Sequence, residues 1–441
     1  MDKEQEHYHA IIADILKIAK KNGMDAVEAA ITSGTGLSVS SRLGETESVE
    51  FSRSKALSIT VYQDNKKGSV STTDIQPEAI QAALKAATHI AAYTEKDPFA
   101  GLADKECLAT AIVDCDLYHP FDIPAEKALE LAKECENAAL TADPKIVNSE
   151  GATFSASQGY RVYGNSLGFL AGYSATQYSL SCTVIAKEND MMQRDYDFSA
   201  ARAYPDILAG AKVGKNAALK TVKRLGARKI KTGVFPVIFS PEMARSLWGH
   251  LISAVSGGQL YRRASFLVDH LGKKILPSFM QIIEAPHLRK GLGSAPFDDE
   301  GVQTTEHDII RDGVLASYVL GSYSARKLGL KTTGNAGGVR NLLVSSGQKN
   351  LEELCREMQT GLLITELMGH GINLVTGDYS RGAAGFWIEK GEIQYPVQEI
   401  TIAGNLKEMF SQCVAVGNDV DRRGNIMTGS VWIEKMTVGG V

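Results

Sequence analysis

The sequence predicts an α+β fold, with an N-terminal α+β region of small antiparallel sheets and a C-terminal strand-rich domain. Strand-like segments of the first part come in runs between helices, whereas a parallel sheet would need a crossover helix after each strand. After about residue 230 the sequence pattern changes to apolar runs typical of buried strands, such as Val234–Phe239, with many glycines. We therefore expect domains at 1–228 and 229–441, the first with two similar halves near 1–120 and 121–228.

The first half begins with a helix and continues as strands. Apolar residues recur at helical spacing over Glu4–Asn22, and Gly23 follows as a stop signal. A turn at Asn65–Gly68 leads into a further strand at Ser69–Thr73, and Pro77 opens a second helix that ends near Tyr93. The strand-like segments between the first helix and the turn are Val27–Thr32, Leu37–Arg42, Glu47–Phe51 and Ala56–Tyr62.

The second half repeats this order of helix and strands after a connecting segment at Asp97–Tyr118 that has no clear periodicity. Pro124–Ala142 carries apolar residues at helical spacing, and Asn148–Ala186 is rich in strand-forming residues with many serines and glycines. A further helix at Pro205–Leu225 closes the half. The similar order of elements is the basis for the proposed duplication.

The segment Gly377–Asn405 predicts a β-hairpin with an irregular second strand. Phe386–Ile388 is strand-like, and Lys390-Gly391 supplies a tight turn. The apolar residues of the second strand then change parity, which requires an extra residue or a bend, and Pro396 places that irregularity nearby. We expect this strand to form an exposed edge that accepts an extended peptide. The candidate edge residues are Ile393, Tyr395, Val397, Ile400 and Ile402.

Composition argues against several classes of protein. The chain has 441 residues, a formal net charge of −4 and 44% hydrophobic residues, which is ordinary for a globular protein. Its six cysteines show no Cys-x-x-Cys pair, which indicates reduced thiols rather than a disulfide framework or a zinc ribbon. No apolar run approaches the roughly 20 residues of a membrane helix. We expect a cytoplasmic protein that does not contact membranes.

The densest basic cluster lies between Lys212 and Lys231. It is spread over a predicted helix and the segment after it, as is typical of a solvated helix face. We therefore expect no direct contact with nucleic acid.

Three further constellations could carry chemistry, and each has a simpler explanation. Glu366 and His370 have the spacing of two metal ligands on a helix, but the segment before them is β-rich. Asp378 and Ser380 could form a nucleophile loop near His370, although no Gly-x-Ser-x-Gly elbow is present. Thr332–Gly338 resembles a phosphate-binding loop, but no Lys-Ser or Lys-Thr follows, so a mobile loop is expected.

Several long motifs resemble those of one known family. Besides Gly377–Asn405, they are Gly44–Arg53, Ser322–Leu330 and Met436–Gly440. Together they resemble the TldD/PmbA family of bacterial metalloproteases, whose two subunit types are TldD and TldE, the latter also called PmbA. The chain resembles the PmbA (TldE) type. The family has also been described as modulating DNA gyrase.

The resemblance implies that the zinc motif of the family is degenerate here. TldD-type members carry His-Glu-x-x-x-His and a C-terminal Cys. The matching positions are Arg245, Ser246, His250 and Asp421. Arginine is permanently charged and cannot bind zinc. We therefore expect no catalytic residues, metal or cofactor in this chain, with zinc held by a TldD partner, and we expect His250 to be a hydrogen-bonded rim residue.

The resemblance also implies a function. It predicts a non-metal subunit that pairs with a TldD-type subunit, as a heterodimer or larger assembly, to hydrolyse unfolded peptides such as peptide-antibiotic precursors and antitoxins. A homodimer is a further assembly to consider. The alternatives are a stand-alone peptidase with an unusual site and a non-catalytic protein that binds peptides or modulates gyrase.

Overall fold

The computed structural model describes residues 3–441 and confirms the α+β class. Helices flank a single sheet in the N-terminal region, and two sheets share a core in the C-terminal region. The chain passes from one region to the other between Lys223 and Gly233.

The N-terminal region consists of two units with the same order of elements: helix, three strands, helix. The first unit contains α1 (Lys3–Lys21), β1 (Ala26–Arg42), β2 (Glu45–Gln63), β3 (Lys66–Thr72) and α2 (Pro77–Tyr93). The second contains α3 (Ala125–Leu140), β4 (Ile146–Asn165), β5 (Leu170–Glu188), β6 (Met191–Ala201) and α4 (Gly210–Lys223). All six strands form one antiparallel sheet in the order β3-β2-β1-β4-β5-β6, so the two units meet where β1 pairs with β4.

The strands are longer than the sequence predicts, and one sheet replaces several small ones. Val27–Thr32 and Leu37–Arg42 both lie in β1, because the small residues of 33–36 continue the strand instead of turning it. Gly34 pairs with Gly159 of β4 there, a close approach of two backbones that glycine permits. Glu47–Phe51 and Ala56–Tyr62 are likewise continuous in β2.

The C-terminal region alternates short helices with strands. Its helices are α5 (Pro241–Ala254), α6 (Gly257–Tyr261), α7 (Ser322–Lys327), α8 (Leu351–Met358) and α9 (Leu406–Ser411). Its strands are β7 (Gly233–Phe239), β8 (Ile282–Glu284), β9 (His307–Arg311), β10 (Val314–Leu315), β11 (Leu342–Val344), β12 (Gly361–Met368), β13 (Asp378–Glu389), β14 (Glu392–Asn405), β15 (Cys413–Val416), β16 (Ile426–Met427) and β17 (Val431–Gly439).

These strands form a six-stranded sheet in the order β14-β13-β12-β7-β17-β15 and a five-stranded sheet in the order β10-β9-β8-β11-β16. The apolar face of α5, with Trp248 and Leu251 fully buried, packs in the core to which both sheets contribute. The buried indole of Trp248 donates a hydrogen bond to Thr428 at 3.0 Å. This helix carries three of the four degenerate motif positions, so the core fixes where they lie.

The hairpin of β13 and β14 contains the irregularity that the sequence predicts. Lys390 and Gly391 form the turn with positive φ angles of 54° and 77°. Val397 pairs with Gly385 and Ile400 pairs with Ala383, so one residue of β13 faces two of β14 and the strand is bulged. The extra residue keeps Val397 and Ile400 both in the core, at 1% and 2% exposure.

Most of the predicted peptide edge is already paired, which corrects the expectation from the sequence. Thr401–Ala403 hydrogen-bonds to β17, and the backbone of Arg228 bonds to Pro396 and Gln398. The side chains of Val397, Ile400 and Ile402 are buried. The alternation of apolar residues along β14 indicates which face of the strand is buried. It does not indicate that β17 pairs with the outer edge of β14, because β17 comes from the far end of the chain. At the start of β14, residues 392–395 keep an unpaired outer edge.

Polar contacts join the two regions through α7. Its Tyr323 hydroxyl donates to Asp97 at 2.7 Å, and the Arg326 guanidinium donates to Asp104 at 2.7 Å and to the Leu102 carbonyl. The motif Ser322–Leu330 therefore lies against the segment that connects the two N-terminal units.

Candidate functional site

The candidate site is a cavity of about 830 Å³ where the N-terminal sheet region meets the six-stranded sheet. We call it the junction cavity. Its wall is apolar and its floor is charged. The apolar lining includes Leu351, Leu363, Phe386, Ile393, Tyr395 and Pro396, and the charged lining includes Asp195, Lys220, Glu242, Asp419, Asp421 and Arg423. The cavity therefore brings the tip of the hairpin and one degenerate motif position to one place.

The floor of the junction cavity is a network of alternating charges from both regions. Lys220 of α4 lies 2.9 Å from Asp197 and 3.0 Å from Glu242. Arg423 lies 2.8 Å from Asp197 and also contacts Glu242, and its guanidinium stacks on Phe198. Burial would raise the pKa of Asp197, but hydrogen bonds from Lys220 and its other partners outweigh it and lower that pKa.

Two of the degenerate motif positions form an ion pair beside this floor. Nη2 of Arg245 lies 2.7 Å from Oδ1 of Asp421, although the angle does not suit a hydrogen bond, so the contact is a charge pair. Asp421 also accepts hydrogen bonds from Arg423 at 3.0 Å. Burial would raise the pKa of Asp421, but Arg423 and Arg245 outweigh it and hold that pKa below its usual range. The carboxylate is thus shared by two guanidinium groups.

The local backbone makes room for Arg245. A Cβ atom on Gly424 would lie 3.2 Å from Nη1 of Arg245, closer than most such contacts, so glycine lets the loop pass over the guanidinium. The Ser246 hydroxyl donates to the Met243 carbonyl at 2.7 Å. Ser246, which the resemblance aligns with the Glu of the zinc motif, therefore makes its hydrogen bond within α5.

His250 does not join Arg245 and Asp421. α5 is a continuous helix over Pro241–Ala254, and positions five apart on such a helix diverge by about 140°. The imidazole instead faces Tyr379 of β13, with ring centroids 6.1 Å apart. Burial, and then the charge of Arg381, lower the pKa of His250. Nε2 is buried without a protein partner, so the hydrogen bond expected from the sequence is not made at this nitrogen.

These side chains do not fit a zinc ion. Zinc sites in proteins need three or four neutral imidazole, thiolate or carboxylate ligands that converge. Here a guanidinium that cannot bind metal pairs with the only carboxylate of the motif, and the imidazole faces another part of the core. Within residues 3–441, no three His, Cys, Asp or Glu side chains are grouped to hold a metal.

The predicted edge residues are divided by the fold. Ile393 is 52% exposed and Tyr395 is half-buried, and both line the junction cavity. The guanidinium of Arg228 lies over the Tyr395 ring at 4.8 Å. Val397, Ile400 and Ile402 belong to the core and cannot meet a ligand without unfolding the sheet.

The other constellations are placed apart or engaged elsewhere. Glu366 pairs with Arg224 at the C-terminal cap of α4, while His370 lies in the exposed loop after β12. Ser380 is exposed on β13, and Asp378 accepts hydrogen bonds from Thr376 and Asn405. The loop 332–338 is tied to Leu320 and Glu284 by its own side chains. None of them assembles a nucleophile and a base.

Part of the basic cluster at 212–231 also has a structural explanation. Lys220 of α4 and Arg224, which caps the C-terminus of that helix, reach across to Glu242 and Glu366 of the C-terminal region. Sequence reasoning missed these two residues and Arg423 as members of the site. The sequence did contain one signal for Lys220 and Arg224: they are four residues apart, so a helix places them on the same face.

A second hollow, of about 640 Å³, lies on the N-terminal sheet around Gly34 and Gln158. Its lining mixes small polar residues with tyrosines and exposed charged side chains, and it contains none of the degenerate motif positions. The junction cavity is therefore the stronger candidate. No helix within residues 3–441 is both long and apolar enough to cross a membrane.

Comparison with known proteins gives matches along nearly the whole chain. Family models match residues 27–91, 118–225 and 232–440, described as domain 1, the central domain and the C-terminal domain of PmbA/TldA metallopeptidases. The chain is 53% identical over 416 residues to Metalloprotease PmbA of Escherichia coli O157:H7, covering 94% of this chain and 92% of that protein. It is 48% identical to a Metalloprotease PmbA homolog of Haemophilus influenzae, covering 99% and 97% of the two chains.

Solved structures share the whole fold. A proposed modulator of DNA gyrase from Bacteroides thetaiotaomicron superposes with a TM-score of 0.93 at 27% identity, covering 100% of both chains. TldE from Thermococcus kodakarensis superposes with a TM-score of 0.84 at 20% identity, covering 98% of this chain and 100% of that one, which bears on the fold alone. The chain belongs to the PmbA/TldD metallopeptidase family.

Proposed function

We propose that this chain is the non-metal subunit of a TldD/TldE-type metalloprotease that hydrolyses unfolded peptides. In this proposal a TldD-type partner holds the zinc and performs the chemistry. This chain binds substrate beside the partner's active site and stabilises the assembly.

The ion pair of Arg245 and Asp421 carries the proposal. Where the family has a zinc-binding His and Cys, this chain has two residues of opposite charge that satisfy each other. A guanidinium at that point repels a divalent cation, and its bulk fills the space of the ligand. In this proposal the chain keeps the family fold, and Arg245, Ser246, His250 and Asp421 do not bind a metal that would activate water.

The junction cavity supports a role in binding peptide. An apolar wall with a charged floor suits a chain that carries both apolar side chains and backbone polar groups. At its mouth, residues 392–395 of β14 leave one backbone edge unpaired, and an extended segment can add to such an edge. Only an unfolded peptide presents its backbone in that way, which agrees with the substrates that the family resemblance implies: peptide-antibiotic precursors and antitoxins.

The remaining parts of the proposal concern partners and location. We propose a heterodimer or larger assembly with the TldD-type subunit, and a homodimer when that subunit is absent. Direct contact with DNA is not part of the proposal, because Lys220 and Arg224 of the basic cluster are engaged in ion pairs. We propose a cytoplasmic location, in keeping with six cysteines that are all unpaired.

Mixing experiments test this function. The purified chain is added in equal amount to the TldD-type subunit of the same organism, and hydrolysis of an unfolded peptide is measured. We expect at least a tenfold rise over the TldD-type subunit alone, and loss of activity with a zinc chelator. Ile393→Asp places a charge at the cavity mouth and should reduce that rise. Val414 is an exposed apolar residue on β15 outside the lining of the junction cavity, and Val414→Asp is the control.

The alternatives predict other outcomes. A stand-alone peptidase would hydrolyse the peptide without the TldD-type subunit. A non-catalytic protein that binds peptides or modulates gyrase would bind peptide but leave the activity of the TldD-type subunit unchanged. Either result would overturn the proposal.

A further inference from the structure

A separate group of polar side chains lies on the core side of the six-stranded sheet. Along β13, Tyr379, Arg381 and Ala383 alternate onto the same face, and Tyr379 and Ala383 are buried at 1% and 0% exposure. Arg381 is therefore a half-buried cation on the core side of the strand, between two buried neighbours, and its Nε atom is itself buried. A charge in this position is costly unless it has a partner.

The protein supplies no counter-charge for Arg381. No carboxylate within residues 3–441 lies within ion-pair distance of its guanidinium, and its buried Nε atom has no protein partner. The carboxylate of Glu366 on β12 lies opposite Ala384 rather than Arg381, and it is paired with Arg224. The carboxylate of Asp378 bonds to Thr376 and Asn405. The positive charge thus lacks an anion.

Two further groups with hydrogen-bonding capacity to spare face the same place. The Tyr379 hydroxyl and Nε2 of His250 are both buried without a hydrogen-bonding partner of good geometry. Burial, and then the charge of Arg381, lower the pKa of His250, whereas burial raises the pKa of Tyr379 against the opposing charge of Arg381. The phenol donates through its O–H, the guanidinium through its N–H groups, and a neutral imidazole through Nε2 in one tautomer.

We propose that Arg381, Tyr379 and His250 form a binding site for a carboxylate. A carboxylate has two oxygens with room for about four hydrogen bonds, and a guanidinium matches it in a bidentate way. The ligand supplies the negative charge and acceptors that the protein lacks at this point. The site is distinct from the junction cavity, whose lining includes none of these three residues. This inference does not depend on the proposed function.

The carboxylate has two chemical sources, a free small acid or the C-terminus of a peptide. Acetate is the probe for the first. The tripeptide Ala-Ala-Ala with a free C-terminus is the probe for the second, and its C-terminal amide is the control that removes the charge.

Thermal unfolding at constant ionic strength, with chloride replaced stepwise by acetate, tests the site. We expect acetate to raise the melting temperature of the natural chain by a few degrees and to leave Arg381→Gln unmoved. Lys17→Gln removes the same charge from an exposed position on α1 and should respond like the natural chain. Arg381→Lys keeps the charge without the planar fork and should bind acetate at least tenfold more weakly.

Tyr379→Phe keeps the test decisive if Arg381→Gln does not fold, since it changes one atom of the site. It should reduce the acetate response at least severalfold. An equal response in all variants, or none in the natural chain, would overturn the proposal. A tripeptide amide that stabilises as strongly as the free acid would also overturn it, whereas a response to acetate alone assigns the site to a free acid.

Discussion

Arg245 and Asp421, 176 residues apart in the chain, form a buried ion pair with Nη2 and Oδ1 separated by 2.7 Å. The side chains are 19% and 7% exposed, so solvent screens the pair only weakly. Asp421 is bound to Arg423 as well, which extends the pair into the charged floor of the junction cavity. The pair is therefore part of the packed interior beside the junction cavity.

Removing one member of this pair should therefore destabilise the protein. Asp421→Ala leaves Arg245 buried without its counter-charge, and breaking a buried pair costs about 3–5 kcal/mol. We expect about 3 kcal/mol in urea unfolding, since part of the guanidinium remains accessible. The double variant Arg245→Met, Asp421→Ala should recover at least 1 kcal/mol of that loss, because no unpaired charge remains. Equal losses in the single and double variants would show that the pair is not coupled.

Acid should weaken the same network. The pKa values of Asp421 and Asp197 are lowered in the folded protein, so the unfolded chain binds protons more readily than the folded one. Their contribution to stability is complete above the ordinary Asp pKa of about 3.9 and is lost as the pH falls through the folded values. Urea unfolding between pH 6 and pH 3 should show this fall. Asp421→Asn should make it shallower, whereas Asp14→Asn, an exposed residue of α1, should not.

The bulge in β14 should be essential for the C-terminal core. Glu399 has a φ of 54° and is the extra residue that returns Ile400 and Ile402 to the inner face. Deleting it would turn both side chains outward, and each buried Ile contributes about 1.5–3 kcal/mol. We expect a loss of more than about 3 kcal/mol of unfolding free energy, measured by urea titration.

The control for that deletion keeps the length of the strand. Glu399→Gly removes the exposed ion pair with Lys229, worth about 0–1 kcal/mol, and relieves the positive φ. Its stability should stay within about 1 kcal/mol of the natural chain. A deletion variant as stable as Glu399→Gly would show that the strand can change register without cost.

The zinc content of the purified chain is a direct measure of the degenerate motif. Arg245 excludes a cation from one motif position and His250 faces Tyr379, so zinc should stay well below one equivalent per chain by elemental analysis after dialysis. Any zinc present should be unchanged in His250→Ala. One equivalent that disappears in this variant would mean that His250 ligates metal and that the motif is functional.

Local signals in the sequence were sufficient for the hairpin but not for its surroundings. The parity change between Val397 and Ile400 is visible in the sequence and correctly predicts a bulge near Pro396. The pairing of Thr401 with Gly439 is not visible, because hydrogen bonds between distant strands leave no periodicity in either segment. For that reason the class of the fold was predictable, whereas the extent of the free edge was not.

The same distinction applies to the site. Arg245 and Asp421 could be identified one by one from the motif, but their contact depends on a loop that Gly424 allows to approach α5. Arg381 was overlooked although it lies inside the hairpin motif, since an arginine in a strand usually faces solvent. Tyr379 and Ala383, two residues before and after Arg381, are both buried, and only this burial shows that Arg381 lies on the core face of β13.

Tyr379 and Tyr163 allow a matched comparison of two buried hydroxyl groups, with exposures of 1% and 3%. The Tyr163 hydroxyl donates to Glu28 at 2.7 Å, whereas that of Tyr379 has no protein partner of good geometry. Tyr163→Phe leaves a buried carboxylate short of a donor and should cost about 1–3 kcal/mol in urea unfolding. Tyr379→Phe should change stability by less than about 0.5 kcal/mol in chloride, because no protein hydrogen bond is lost.

If a carboxylate binds beside Arg381, the cost of Tyr379→Phe should rise when acetate replaces chloride, while that of Tyr163→Phe should stay the same. A large cost of Tyr379→Phe in chloride would mean that its hydroxyl is already satisfied within the fold, and that the group around Arg381 has one fewer donor to offer a ligand.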